Sequence, residues 1–89
     1  MANLYLIDRP FGANGLEIAT ADAGAQVVLI QDGVYLDTSA AAKAGAAVYA
    51  VRKDVEKRGL TGRLPAFVKV IDYGTLVDLI VAHKVVNFT

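Results

Sequence analysis

The sequence predicts an α/β domain, a three-layer α/β/α sandwich in which helices cover both sides of a mostly parallel sheet of four to five strands. Three observations lead there. Val27, Val28, Leu29 and Ile30 form an unbroken apolar run, which is the composition of a strand buried on both faces. Short apolar runs alternate along the chain with segments of helix formers, each bounded by capping and terminating residues. Right-handed crossovers between such elements produce parallel neighbours with helices packed on the sheet. The 27–30 run is the expected central strand. It stops at Gln31-Asp32-Gly33, at the carboxyl end, where an open parallel sheet meets its ligands and partners.

Taken in order, Leu4, Tyr5, Leu6 and Ile7 make a first short strand, closed by Asp8-Arg9-Pro10 because proline has no N–H to give to a ladder. Asn14 is the expected N-cap of a first helix, with Glu17 at N3 as in a capping box; Leu16, Ile18 and Ala19 begin its body and Gly24 can end it. Beyond Gly33, any of Asp37, Thr38 and Ser39 can cap a second helix. Its body, residues 40–44, carries only alanines and Lys43, strong helix formers whose small side chains let backbones approach closely. Gly45 ends it, and residues 46–51 make the third strand.

Residues 53–58 form a short charged surface helix with Gly59 at its C′ position. Thr61-Gly62-Arg63-Leu64-Pro65 reads as a loop, and residues 67–71 as the fourth strand. Asp72 can cap the last helix, in which Tyr73, Leu76, Val77, Ile80 and Val81 follow the spacing of an amphipathic stripe. Val85, Val86 and Phe88 add a final strand.

The 89 residues allow one domain, spanning 1–89, with no repeat or linker. A hydrophobic share of 55% exceeds the usual value of about 45 to 50%, yet no apolar run approaches the roughly 20 residues that span a bilayer. The surplus points to burial between subunits, so an oligomer is expected, formed with copies of the chain or with related subunits. Nine basic and nine acidic residues cancel and are scattered, which leaves no electrostatic footprint for nucleic acid or an anionic membrane. The chain has no cysteine, and therefore no disulfide, thiolate metal site or covalent sulfur chemistry of its own. Met1 to Tyr5 show no basic region followed by an apolar stretch, so no secretory signal is read and a cytoplasmic location is expected.

Asp8 and Asp32 fall at the carboxyl ends of two strands that can be neighbours, where paired carboxylates hold Mg²⁺ or exchange protons. The plainer reading has each carboxylate capping a helix or turn, with Arg9 neutralising Asp8, and no metal or cofactor is assigned. Gly12-Ala13-Asn14-Gly15 invites comparison with a phosphate loop, but neither the G-x-G-x-x-G spacing nor a P-loop lysine is present. His83, the single histidine, has no serine or cysteine placed beside it by sequence logic, and no catalytic constellation is recognisable. Tyr35, just after the Asp32-Gly33 turn, suits either a core position or an interface anchor. Phe11 and Val34 join it as interface candidates. A rival reading, a small-ligand binder or metal-dependent enzyme, uses the polar residues Asp8, Asn14, Gln31 and Asp32.

Two motifs carry a resemblance. Leu29-Ile30-Gln31-Asp32-Gly33-Val34-Tyr35 resembles the strand-and-turn signature, an apolar strand followed by (Asp/Asn)-Gly-Val-aromatic, of the DsrH/TusB family of small sulfur-relay proteins. Pro10-Phe11 followed by Asn14-Gly15-Leu16-Glu17 is similar to that family's N-terminal loop and first helix. The likeness extends over nearly the whole chain, including the Asp72-Tyr73 helix. It implies a DsrE/F/H-type α/β sandwich that assembles with DsrE/DsrF-like (TusD/TusC-like) subunits. Such a complex passes persulfide sulfur to the wobble uridine of tRNA or acts in dissimilatory sulfur oxidation. Members with a thiol in the first helix carry it around the position of Ala19. With no cysteine, this chain is expected to be a non-catalytic, oligomer-forming subunit.

Overall fold

A five-stranded sheet runs through the molecule, built from β1 (Asn3–Ile7), β2 (Gln26–Leu29), β3 (Ala47–Val51), β4 (Val68–Ile71) and β5 (Lys84–Phe88) in the spatial order β4-β3-β2-β1-β5. The computed structural model describes residues 3–9 and 11–89. Every neighbouring pair of strands is parallel, and β2 occupies the middle. The connections hold four helices: α1 (Gly12–Thr20), α2 (Ser39–Lys43), α3 (Arg52–Lys57) and α4 (Tyr73–Ala82).

Alternation along the strands divides the interior into two layers. On one face Tyr5, Ile7, Val27, Leu29, Val48 and Ala50 pack with Leu16 and Ala19 of α1 and Val55 of α3. On the other, Leu4, Val28, Val51 and Ile71 pack with Leu76 of α4. The fold is thus an α/β sandwich with helices on both faces. Val27, Val28 and Leu29 are at most 1% exposed, as a strand covered on both sides requires.

Several local signals act as their chemistry dictates. Gly45 and Gly59 follow α2 and α3 with φ of +96° and +65°, the left-handed conformation in which glycine ends helices. The Asp72 side chain accepts a hydrogen bond from the Thr75 N–H at 2.8 Å and caps α4.

Other expectations are corrected. Asn14 does not cap α1, which begins two residues earlier at Gly12 after an N-cap position held by Phe11 without a side-chain bond. The reason lies across the sheet. A Cβ on Gly12 would meet Leu36 Cδ1 at 2.6 Å, and one on Gly15 would meet Ile7 Cδ1 at 2.6 Å and the Phe88 ring at 2.7 Å. Both glycines must therefore be helical and face the strands, a tertiary demand that outweighs a local cap. α1 stops at Thr20, and Gly24, at φ +78°, serves the turn into β2 instead. α3 is less superficial than its charges suggest, since Asp54 and Val55 are buried. β4 starts at Val68, leaving Phe67 exposed. On α4 only Leu76 of the predicted stripe is buried, with Leu79 beside it, while Tyr73, Val77, Ile80 and Val81 form an exposed flank. Pro10, assigned to closing the first strand, lies outside the described residues. Among the described residues no helix is long and apolar enough to cross a membrane.

Candidate functional site

At the carboxyl end of β1 and β2 the chain folds into a single 3₁₀ turn, Gln31–Tyr35. The Ile30 N–H donates to the Ile7 carbonyl at 3.0 Å, and the Gly33 N–H donates back to the Ile30 carbonyl at 2.8 Å. This draws Gly33 down onto the end of β1, where a Cβ would overlap the Ile7 carbonyl oxygen. Glycine is the residue that fits. Gln31 adopts φ +48°, a left-handed conformation that costs a non-glycine residue on the order of 1 kcal/mol or more.

The turn directs its last two side chains oppositely. Val34 enters the core at 3% exposure, whereas Tyr35 is 47% exposed, so of the three interface candidates Tyr35 and Phe11, itself 56% exposed, present surface and Val34 does not. The Arg9 guanidinium lies 5.4 Å from the centre of the Tyr35 ring, an attraction between a cation and the ring's negative face. Arg9 does not form an ion pair with Asp8. Its backbone N–H donates to Asp8 Oδ1 at 2.7 Å.

The polar strand-end residues are not assembled into one centre. Asp32 Oδ1 accepts a hydrogen bond from Arg58 Nε at 3.0 Å, and Arg58 Nη1 stands 3.6 Å from Asp54 Oδ1, so Arg58, the residue after α3, neutralises Asp32. Asn14 is exposed in the first turn of α1. Gln31 lines a cleft of about 360 Å³ with Asp54, Lys57, Arg58 and Tyr73, and of the four polar candidates it alone does so. Among the described residues no group of three or more His, Cys, Asp or Glu side chains is arranged to hold a metal ion. Gly12 and Gly15, compared above with a phosphate loop, are packing residues of α1. The imidazole Nδ1 of His83 is 2.8 Å from the Leu79 carbonyl oxygen, at the end of α4. Ala19, on the core-facing side of α1, is 1% exposed.

A second cleft, of about 200 Å³, was missed by the sequence reading; its lining includes Leu29, Tyr35, Thr38, Leu60, Arg63 and Leu64. It forms because the 60–65 loop folds back toward the end of the sheet. Leu60 and Leu64 flank Gly62 there and both pack against the core, and two leucines bracketing a loop glycine were the available clue.

At the opposite, amino end of the sheet, Asp22 accepts hydrogen bonds from the Tyr5 hydroxyl at 2.6 Å and from Asn3 Nδ2 at 2.9 Å. Those two donors, the hydroxyl foremost, hold the Asp22 carboxyl below its usual range, while the same bond and burial raise the Tyr5 hydroxyl. The cluster ties the start of β1 to the turn before β2.

A family model described as DsrH like protein matches residues 10–86. Protein TusB of Photorhabdus laumondii subsp. laumondii is 43% identical over 68 residues, covering 67% of this chain and 70% of that protein. Protein TusB of Serratia proteamaculans is 35% identical over 68 residues, covering 70% of this chain and 72% of that protein. Among solved structures, the crystal structure of the ychN protein from E. coli has a TM-score of 0.79, covers 99% of each chain and is 17% identical. That likeness is one of fold.

Proposed function

This chain belongs to the DsrH family, and on that footing we propose that it is a non-catalytic, oligomer-forming subunit of a sulfur-relay assembly. The assembly serves either wobble-uridine thiolation of tRNA or dissimilatory sulfur oxidation. One observation carries the reading: a member of this family with no cysteine has no sulfur atom able to hold a persulfide, so its contribution is to hold subunits that do. The fold supports this with apolar side chains left on the surface, among them Phe11 and Tyr35 at the carboxyl end of the sheet and Tyr73, Val77 and Val81 on α4. Its partners are cysteine-bearing subunits of the DsrE/DsrF (TusD/TusC) type, alone or alongside further copies of the chain.

Co-expression with the cysteine-bearing related subunits of the same genome tests the proposal. One complex is expected by light scattering, with persulfide label on the partner. A chain that stays monomeric beside every such subunit would remove the docking role.

A further inference from the structure

The 200 Å³ cleft beside Tyr35 is too small for most cofactors, whose pockets run from about 300 to 1,000 Å³. It is large enough for one bulky side chain, since an apolar cavity of about 150 Å³ accepts a benzene ring. Its walls are mainly apolar, with the Thr38 side chain among them. The rim is cationic: Arg63 lines the cleft, and Arg9 lies over the ring of Tyr35, which also lines it. Among the described residues the side-chain ion pairs of arginine are those of Arg58 with Asp32 and Asp54, so Arg9 and Arg63 are left without a carboxylate partner. Asp37, next to Thr38, is already bonded to the Ser39 N–H at 3.0 Å. An apolar socket between two unpaired arginines matches an apolar side chain carried next to a carboxylate.

We infer that this cleft receives a partner-subunit segment in which a bulky apolar side chain is flanked by Asp or Glu. The apolar group enters between Tyr35 and Leu64, and the carboxylate reaches Arg63 or Arg9, where a charge-assisted bond fixes the segment's register. The inference rests on the docking role proposed above and assigns it a surface.

The test uses the complex of this chain with a cysteine-bearing related subunit. Arg63→Glu and Tyr35→Ala alter exposed side chains, and each should weaken association by at least about tenfold, whereas Glu17→Gln, exposed on α1 and outside the lining of the cleft, should leave it unchanged. Raising NaCl from about 50 to about 500 mM should weaken the wild-type complex severalfold and the Arg63→Glu complex less. Because the chain has no cysteine, Arg63→Cys and Val81→Cys each carry one photo-crosslinker. Crosslinks from Arg63→Cys to an acidic, apolar segment of the partner would support the assignment. Unchanged affinity in Arg63→Glu, crosslinks from Val81→Cys alone, or crosslinks from Arg63→Cys to a second copy of this chain would each overturn it while leaving the docking role standing. A wild-type chain that binds no such subunit would instead overturn the docking role, and this inference with it.

Discussion

Gly33 rests against the carbonyl oxygen of Ile7, so closely that no side chain can be placed between them. The same oxygen accepts the Ile30 N–H, which prevents β1 from moving aside. Gly33→Ala should therefore destabilise the protein by roughly 3 kcal/mol. Gly12→Ala meets side-chain methyls, Leu36 Cδ1 and Ile7 Cγ2, rather than backbone, and should cost less, about 1 to 2 kcal/mol. Urea melts of the two variants measure the order, and a reversed order would contradict the packing described at the turn.

Leu29 lies at the end of the central strand with 1% exposure. Leu29→Ala is expected to cost about 2 to 5 kcal/mol through lost transfer energy and the cavity left behind. A loss under about 1 kcal/mol in denaturant melts would mean that β2 is not the centre of the core.

Ala19, the position around which the resemblance places a family thiol, is buried on the sheet-facing side of α1. In Ala19→Cys the new thiol should be sheltered and inert. Labelling with a disulfide reagent should be slow in the native protein and immediate in denaturant. Fast native labelling would show that α1 lifts from the sheet.

Asp22 and Asp72 are both held below the usual carboxylate range, Asp22 by Tyr5 and Asn3 and Asp72 chiefly by the Thr75 N–H. A carboxylate depressed in the folded state contributes stability above its unfolded value of about 4, and that contribution is lost as the pH falls through the folded value. Tyr5 is raised, so its contribution is present below about pH 10 and is lost as the pH rises through its folded value. Thermal melts should be level near neutrality and fall on both sides. Asp22→Asn should flatten both limbs and Asp72→Asn only the acid one; an unaltered alkaline limb in Asp22→Asn would contradict the Tyr5 pairing.

Asp32 is paired with Arg58 at the surface, its side chain 59% exposed. Asp32→Asn should change stability by less than about 1 kcal/mol, and Mg²⁺ should not raise the melting temperature of either form. A Mg²⁺-induced rise lost in the variant would favour the rival ligand-site reading.

The central strand was legible because Val27 to Leu29 are contiguous and apolar, and the helix boundaries at Gly45, Gly59 and Asp72 because they follow from local backbone chemistry alone. The start of α1 was not, since it depends on how Gly12 and Gly15 meet Ile7 and Phe88, contacts between residues far apart in the chain. For the same reason periodicity identified the apolar residues of α4 but overstated how many the sheet covers. At the site, the Asp32-Gly33 turn was visible in the sequence, while the inward aim of Val34 followed from a 3₁₀ geometry no propensity encodes. The cleft under Leu60 and Leu64 required the loop to return to the sheet.

The outer side of β1 is completed by β5, with Asn3 opposite Lys84 and Ile7 opposite Phe88. β1 thus waits for β5, a delay of roughly 4 to 16 seconds at ordinary rates of synthesis. During it one ladder of N–H and C=O groups on β1 stands open to pairing with other chains. Native topology is reached only after translation has passed Phe88, and a chain cut short before β5 would retain that open edge as a seed for aggregation.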